Sequence, residues 1–193
     1  MKRRTLSAAL GAAFVLAACG RESAAPAKPA ATAATPVSIE TVAAEAKGFN
    51  VGSAMSTRVV YVFFDPQCPH CAALWEAARP LRPQARFVWI PVSLLNAKSA
   101  PQGAAIMNAA DPVATMDQHE QSLRNQQGGV AAMGVTDEQK AVVQRNTELF
   151  NRLGFGSVPT VVGKHAQSGE LVTVEGSVPT GVLAQRLGLS APS

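Results

Sequence analysis

Residues 58–71 read RVVYVFFDPQCPHC and join an apolar run to a pair of cysteines. The apolar run is rich in β-branched and aromatic residues without polar alternation, which is typical of a strand buried on both faces. Cys68 and Cys71 follow this run at once, with Pro69 and His70 between them. Because proline suits the first turn of a helix, the stretch predicts a strand, a short loop and a helix that carries both thiols at its start.

The spacing of the two cysteines favours a reactive pair over a structural staple or a metal site. A disulfide between Cys68 and Cys71 closes a very short loop, so it constrains little of the unfolded chain. A zinc site needs about four ligands, whereas His119 and His165 lie in a helical segment and a hairpin without paired spacing. We expect His119 to be a solvated helix residue, His165 to flank a turn, and no metal to bind.

The chemistry of the pair follows from its place at a helix start. A cysteine is a nucleophile only as its thiolate, and the free N–H groups and dipole of a helix N-terminus favour an anion. His70 can add positive charge, and Pro69 stiffens the loop. We therefore expect Cys68 to have a depressed pKa and to be the exposed, attacking thiol. Cys71, one turn further along, is expected to be more buried and to resolve the mixed disulfide.

Other segments of the chain alternate between helix and strand patterns. A short helix with Ser38 as its N-cap is predicted first, and five further segments follow the CxxC strand. The predicted segments are a helix at 38–47, a helix at 69–78, a strand at 85–95, a mostly helical block at 99–153, a β-hairpin at 160–176 and a helix at 181–188. With the first strand, this order predicts an α/β, thioredoxin-like fold with a helical insertion.

In a thioredoxin-like fold, a cis-proline lies just before the strand that faces the two cysteines. Pro159 follows a glycine-rich approach and precedes the run TVVG, so it occupies this place. Although X–Pro bonds in folded proteins are mostly trans, we expect the Val158–Pro159 bond to be cis. The backbone there is expected to pair with a bound substrate chain as an added strand.

The N-terminal segment is predicted to be a leader and a tether. Residues 1–18 combine basic MKRR with a short apolar run, and the LAAC that ends at Cys19 resembles a bacterial lipobox. That resemblance implies cleavage before Cys19 and a lipid on its thiol; the alternative is an ordinary secretory signal. Residues 19–37 are mostly Ala and Pro and predict a disordered tether, which leaves 38–193 as the domain.

The charge balance gives no sign of a nucleic-acid partner. The formal net charge is +4, and part of it comes from KRR at 2–4, so the chain without its leader is close to neutral. No motif for a nucleotide or an organic cofactor is present in the sequence.

Beyond these local patterns, the chain resembles the catalytic domain of the DsbC/DsbG family of thiol:disulfide interchange proteins, DsbG most closely. The tetrapeptide CPHC itself resembles that of DsbA-type thiol oxidants. The stretches that carry the resemblance are YVFFDPQCPHC (61–71), ARP (78–80), AAIMNAADPVAT (104–115), NTELFNRLGFGSVPTVV (146–162) and 176–188. The resemblance implies that Cys68 and Cys71 are the redox cysteines and that Pro159 is the cis-proline.

Two features depart from that family. Its isomerases have an N-terminal dimerisation domain, whereas only residues 38–57 lie here between the tether and the first strand, so we expect a monomer. Thioredoxin and DsbA also carry a buried acid six positions before the first cysteine, where this chain has Val62. Asp65 lies at the strand end and is not expected to accept the proton of Cys71.

The sequence therefore predicts a periplasmic thiol–disulfide oxidoreductase, anchored by lipid to a bacterial membrane. Gly20 after Cys19 resembles an outer-membrane sorting pattern. Expected partners are cysteine-containing periplasmic proteins and a membrane redox partner that resets the pair. Two alternatives stay open: a DsbG-like isomerase or reductase kept reduced by a membrane partner, and a non-enzymatic periplasmic chaperone lipoprotein that retains the fold.

Overall fold

The computed structural model describes residues 35–191. The predicted leader at 1–18 and Cys19 lie outside the described residues, as does most of the predicted tether. The end of the tether belongs to the fold, since the backbone N–H of Thr35 donates to the carbonyl of Arg152 at 2.8 Å.

A five-stranded sheet forms the centre of the fold, with the strand order β1-β3-β2-β4-β5. Only β2 and β3 run parallel, and every other neighbouring pair is antiparallel. Parallel strands need a crossover, and the helix that carries the cysteines supplies it. The strands are β1 (Phe49–Gly52), β2 (Val59–Phe64), β3 (Arg86–Pro91), β4 (Thr160–Lys164) and β5 (Leu171–Glu175).

Six α-helices surround the sheet in the described part of the chain. Local capping explains where several begin: Ser38, Asp111 and Thr136 each accept a backbone N–H from the first turn of their helix. The helices are α1 (Ile39–Glu45), α2 (Pro69–Ala78), α3 (Ser99–Met107), α4 (Pro112–Arg124), α5 (Asp137–Arg152) and α6 (Thr180–Leu187). None of them is long and apolar enough to cross a membrane.

The two faces of β2 contribute to separate apolar clusters, which confirms that this strand is buried on both sides. Val60, Val62 and Phe64 join the cluster that contains both cysteines and the buried side of α2. Tyr61 and Phe63 point to the other face and join the cluster formed with α1 and α5. The sheet is thus the middle layer of three, and the cysteines belong to the core on one side of it.

Most predicted elements are confirmed to within about two residues, and the helical block resolves into α3, α4 and α5. One strand was missed: β1 has only four residues, at the edge of the sheet, and ends at Gly52 with a φ of 95°. The strand predicted at 85–95 stops at Pro91. Its last residues leave the sheet because the Asp65 carboxylate accepts the N–H groups of Leu94 and Leu95.

Polar contacts hold the inserted helix α4 against α2. Asp117 of α4 accepts one hydrogen bond from the indole of Trp75 and one from the guanidinium of Arg79, both at 2.7 Å. Arg79 also pairs with Glu76, and the guanidinium of Arg82 lies 4.1 Å from the centre of the Trp75 ring. The insertion is therefore fastened directly to the helix that carries the cysteines.

Candidate active site: a thiol pair at the start of α2

Cys68 is the N-cap residue of α2, and Pro69 occupies the first helical position as predicted. The N–H of Cys68 donates to the carbonyl of Asp65 at 3.0 Å, and the carbonyl of Cys68 accepts the N–H of Cys71 and of Ala72. These bonds close the turn between β2 and α2. The sulfur of Cys68 therefore lies where the unpaired N–H groups of the helix start are concentrated.

Both thiols are free, and they differ in access to solvent. Cys71 is fully buried and Cys68 is 5% exposed, whereas Pro69 and His70 are exposed. The expectation that Cys68 is an exposed residue is therefore wrong in degree. The reason is the loop before β4, which covers Cys68: its sulfur lies 3.6 Å from the carbonyl oxygen of Val158, to which it donates a hydrogen bond when it is protonated.

The Val158–Pro159 peptide bond is cis, which confirms the prediction made from its place before β4. Antiparallel pairing of β4 with β2 holds this loop beside the turn that carries the cysteines. Pro159 is buried and its carbonyl accepts the N–H of Gly176 at 2.7 Å, while Val158 is half-buried. The structure thus brings Cys68, Cys71, Pro69, His70, Val158 and Pro159 together at one end of the sheet.

The surroundings lower the pKa of Cys68 to about 6. The largest cause is the Cys71 thiol, which donates a hydrogen bond to the Cys68 sulfur; burial opposes the shift. The backbone N–H groups of Cys71 and His70 lower this pKa further, and the charge of His70 adds a smaller amount. The helix start and His70 were expected to act in this way, whereas the larger contribution of Cys71 was not.

Cys71 has the opposite environment. Burial raises the pKa of Cys71 far above its ordinary range, and the hydrogen bond and charge of Cys68 raise it further. A thiol in this position keeps its proton at neutral pH and can donate it to its neighbour. The pair therefore contains one thiolate and one thiol, and their two titrations are coupled.

Asp65 fixes the turn that precedes Cys68, a function that the sequence analysis missed. The carboxylate is fully buried and accepts four hydrogen bonds. One oxygen accepts from the N–H of Gln67 at 2.8 Å and from the hydroxyl of Ser99 at 2.7 Å. The other accepts from the N–H groups of Leu94 and Leu95 at 2.7 and 3.0 Å. An acidic residue directly after a fully buried strand is the sequence signal for such a group.

His119 is fully buried, so the prediction of a solvated helix residue is wrong. Its Nδ1 accepts the N–H of Val130 at 3.2 Å, which leaves the proton on Nε2 to donate to the carbonyl of Pro66 at 2.7 Å. Burial lowers the pKa of His119, in keeping with this neutral form. Gly129 makes room for the ring, because a Cβ there would lie 2.5 Å from it. The buried Met116, three residues earlier on α4, marks the same inward face.

His165 flanks a turn, as was expected from the sequence. His165 directly follows β4 and begins the turn to β5, where its N–H donates to the carbonyl of Glu170. Within residues 35–191, no three histidine, cysteine or acidic side chains converge as metal ligands.

Residues 50–190 match the family model described as a thioredoxin-like domain. The chain belongs to this family. Two curated relatives of this thioredoxin-like chain are thiol:disulfide interchange proteins named DsbG. The Pseudomonas aeruginosa protein is 29% identical over 143 residues, and the Escherichia coli protein is 33% identical over 105 residues. The alignments cover 71% and 53% of this chain.

The chain spans about half the length of these curated relatives, since the alignments cover 54% and 42% of them. Among solved structures, the catalytic domain of Proteus mirabilis ScsC superposes with a TM-score of 0.58 at 19% identity, over 77% of this chain and 96% of that one. The prediction of a thioredoxin-like α/β fold is confirmed by the family match and by this structural likeness.

If the Cys71 thiol is the main cause of the low pKa of Cys68, a substitution that removes this hydrogen-bond donor should raise the pKa of Cys68. Ultraviolet absorbance of the thiolate in the reduced protein should show Cys68 titrating at about pH 6. In Cys71→Ala this titration should move up by about one pH unit or more, because the donated hydrogen bond is lost. Cys71→Ser, which keeps a hydroxyl donor, should move it less.

His70→Ala serves as a comparison, since the charge of His70 contributes less than the Cys71 thiol. This order of causes would be contradicted if Cys68 still titrated near pH 6 in Cys71→Ala but titrated about one pH unit higher in His70→Ala.

Asp65→Asn should destabilise the fold by about 3 kcal/mol, because an amide nitrogen cannot accept hydrogen bonds from the N–H donors around it. Urea unfolding measures the loss. Asp111→Asn is the matched control: Asp111 caps α4 through one hydrogen bond to Ala114, and asparagine caps helices about as well as aspartate. Equal stability of the two variants would refute the function given to Asp65.

Proposed function

We propose that the protein is a periplasmic thiol–disulfide oxidoreductase, in which Cys68 exchanges disulfides with substrate proteins and Cys71 resolves the mixed disulfide. The observation that carries this proposal is the placement of the pair: Cys68 caps α2 beside the Val158 carbonyl, and Cys71 is fully buried one turn further along. This placement lowers the pKa of Cys68 and raises that of Cys71, which favours a thiolate at Cys68 and a thiol at Cys71. Disulfide exchange requires such an attacking thiolate and a second thiol close enough to displace the substrate.

The proposed exchange proceeds through one intermediate in either direction. Starting from the enzyme disulfide, a substrate thiolate attacks the sulfur of Cys68, and Cys71 leaves as a thiolate that takes up a proton. A second substrate thiolate then attacks the substrate sulfur of the mixed disulfide and releases Cys68 as its thiolate. Two electrons pass from the substrate dithiol to the enzyme, and the substrate gains a disulfide. The reverse sequence begins with attack by the Cys68 thiolate.

The low pKa of Cys68 favours the oxidising direction. A stabilised thiolate lowers the free energy of the reduced enzyme, so the disulfide form is more readily reduced by a substrate. The sign follows from linkage: this stabilisation is present at high pH and is lost as the pH falls through about 6, because protonation removes the thiolate. At the pH of the periplasm, the enzyme would therefore tend to pass its disulfide to substrate thiols.

We place the substrate chain across the loop at Val158 and Pro159. The Val158 carbonyl lies 3.6 Å from the Cys68 sulfur, so an extended chain that pairs with this backbone would bring a cysteine up to Cys68. Pro69 and His70 follow Cys68 directly in the chain and are exposed, so they are available to contact the same substrate chain. Cysteine-containing periplasmic proteins are the proposed substrates, and a membrane redox partner would reoxidise the pair.

A second candidate is a reductase or isomerase kept reduced by a membrane partner. The observation that favours it is the similarity to two proteins named DsbG at 29% and 33% identity. The state of the Cys68–Cys71 pair in the cell separates the two functions. A pair trapped mainly as the disulfide supports the oxidant, and a pair trapped mainly as thiols supports the reductase.

The proposed location follows from the first nineteen residues. Cleavage after residue 18 would leave Cys19 as a lipid anchor, and the Ala- and Pro-rich segment after it would let the domain reach its substrates at a distance from the membrane. We propose the outer membrane, because Gly20 follows Cys19.

Cys71→Ser should trap a mixed disulfide between Cys68 and a model protein that contains a disulfide, because the Cys68 thiolate displaces one sulfur of that disulfide and the resolving thiol is missing. Cys68→Ser should trap far less, since Cys71 is fully buried. A non-reducing gel of the alkylated mixture detects the adduct. Equal trapping by both variants would contradict the assignment of Cys68 as the attacking thiol and Cys71 as the resolving thiol. If a Cys68→Ser strain kept every disulfide-dependent phenotype of the wild type, the chaperone function would be favoured instead.

Labelled palmitate should be incorporated into the full chain in a bacterial host and should be absent from Cys19→Ala. The reason is that the lipid is proposed to attach through the Cys19 thiol. Palmitate labelling that persists in Cys19→Ala would disprove the anchor, and fractionation of the labelled membranes tests the choice of membrane.

A further inference from the structure

Glu120 of α4 is a buried carboxyl group without a hydrogen-bond partner. The residue is 1% exposed, and neither of its carboxyl oxygens contacts a donor in the part of the chain that the structure describes. Buried polar groups are normally hydrogen-bonded, because an unpaired charge away from water is costly. Neither the fold nor the proposed disulfide exchange accounts for an acid at this position.

An apolar groove of about 500 Å³ lies between α2 and α4 and connects Glu120 with the turn that carries Cys68. Gln67 and Pro69, the chain neighbours of Cys68 on its two sides, both line it. Besides Glu120, the rest of its wall consists of Ala72, Ala73 and Leu123 and of the charged Glu76 and Arg124. Glu120 and both chain neighbours of Cys68 therefore line one groove, and charges that are partly shielded from water interact more strongly than charges in water.

Four charged groups act on the carboxyl of Glu120: Glu76 of α2, the Cys68 thiolate at the cap of α2, and Asp117 and Arg124 of α4. Arg124 is the one cation among these four, and it also pairs with Glu76 at 3.6 Å. Arg79 pairs with both Glu76 and Asp117, which leaves the Cys68 thiolate as the negative group without such a partner. Burial raises the pKa of Glu120 to about 8; the three negative groups add to this shift and Arg124 opposes it.

We propose that Glu120 binds and releases a proton in step with the redox state of the Cys68–Cys71 pair. In the reduced protein the thiolate repels a carboxylate, so Glu120 stays protonated. In the disulfide form that negative charge is gone, and Glu120 releases its proton more readily. By reciprocity, an ionised Glu120 disfavours the Cys68 thiolate. Glu120 is thus a positioning residue that acts on the pair through charge, and this inference rests on the proposed function.

The proton balance can be written for glutathione disulfide as the oxidant. The reduced enzyme holds the Cys68 thiolate, the Cys71 thiol and protonated Glu120. Two electrons pass to glutathione disulfide, which becomes two glutathione thiols. One of their two protons comes from Cys71, and Glu120 supplies the other to the extent that it ionises when the Cys68 charge is lost; solvent supplies the remainder. Without Glu120, one of these protons must come from solvent.

This difference sets the pH dependence of the equilibrium constant with glutathione. For Glu120→Gln, oxidation takes up one proton from solvent, so the equilibrium constant should fall about tenfold per pH unit between about pH 7 and 8. For the wild-type chain, Glu120 supplies part of that proton, and the constant should fall less than about fivefold per unit. Glutamine keeps the size of a protonated glutamate, so the variant preserves the packing.

The full chain and Glu120→Gln are equilibrated with glutathione at several pH values, and the state of the Cys68–Cys71 pair is read by thiol trapping and mass spectrometry. Glu76→Gln is the matched control, because it removes a carboxylate from the rim of the same groove, where the side chain is 46% exposed. We expect Glu76→Gln to keep the shallow wild-type dependence.

The outcomes separate this inference from the proposed function. If the equilibrium constant falls tenfold per pH unit in both the wild-type chain and Glu120→Gln, the linkage to Glu120 is overturned, whereas the thiolate at Cys68 is supported. No pH dependence in either protein means that Cys68 is not a thiolate, which overturns the proposed function as well. Infrared difference spectra of the wild-type chain give an independent test: a protonated-carboxyl band should be lost on oxidation, and its persistence would also overturn the linkage.

Discussion

The buried carboxylate of Asp65 is the constraint on which the rest of the active site depends. It ends β2, and it ties together the N–H of Gln67, the N–H groups of the loop after β3 and the hydroxyl of Ser99 at the start of α3. The carbonyl of the same residue receives the N–H of Cys68. Because the carbonyl and the carboxylate of Asp65 both accept hydrogen bonds from this turn, they fix the start of α2 with Cys68 at its N-cap.

The helical insertion is part of the active site rather than an addition to its surface. His119 of α4 holds the carbonyl of Pro66, and Gln102 of α3 bonds the side chain of Gln67, so two inserted helices grip the turn before Cys68. The same helix α4 carries Glu120 into the groove beside that turn. Helix α4 therefore holds the turn before Cys68 through His119, and through Glu120 it also affects the charge of the Cys68 sulfur.

The active-site strand, the helix that follows it and the cis-proline could be predicted because each is a local pattern. A continuous apolar run, a proline at the first helical position and an X–Pro bond before a strand need no distant partner. The functions of Asp65, His119 and Glu120 depend largely on residues that are distant in the chain, such as Leu94 for Asp65 and Pro66 for His119, which no spacing reveals. The sequence also indicated a low pKa for Cys68, but it credited the helix start and His70 and missed the larger contribution of the Cys71 thiol, which burial keeps protonated.

The reduction potential of the Cys68–Cys71 couple, measured by equilibration with glutathione near neutral pH, decides whether the protein gives its disulfide to substrates. A thiolate stabilised at Cys68 makes the reduced state favourable, so we expect a potential well above the value of about −270 mV that is typical of thioredoxin. A potential at or below that value would mean that the disulfide is not readily given away, and would contradict a stabilised thiolate at Cys68.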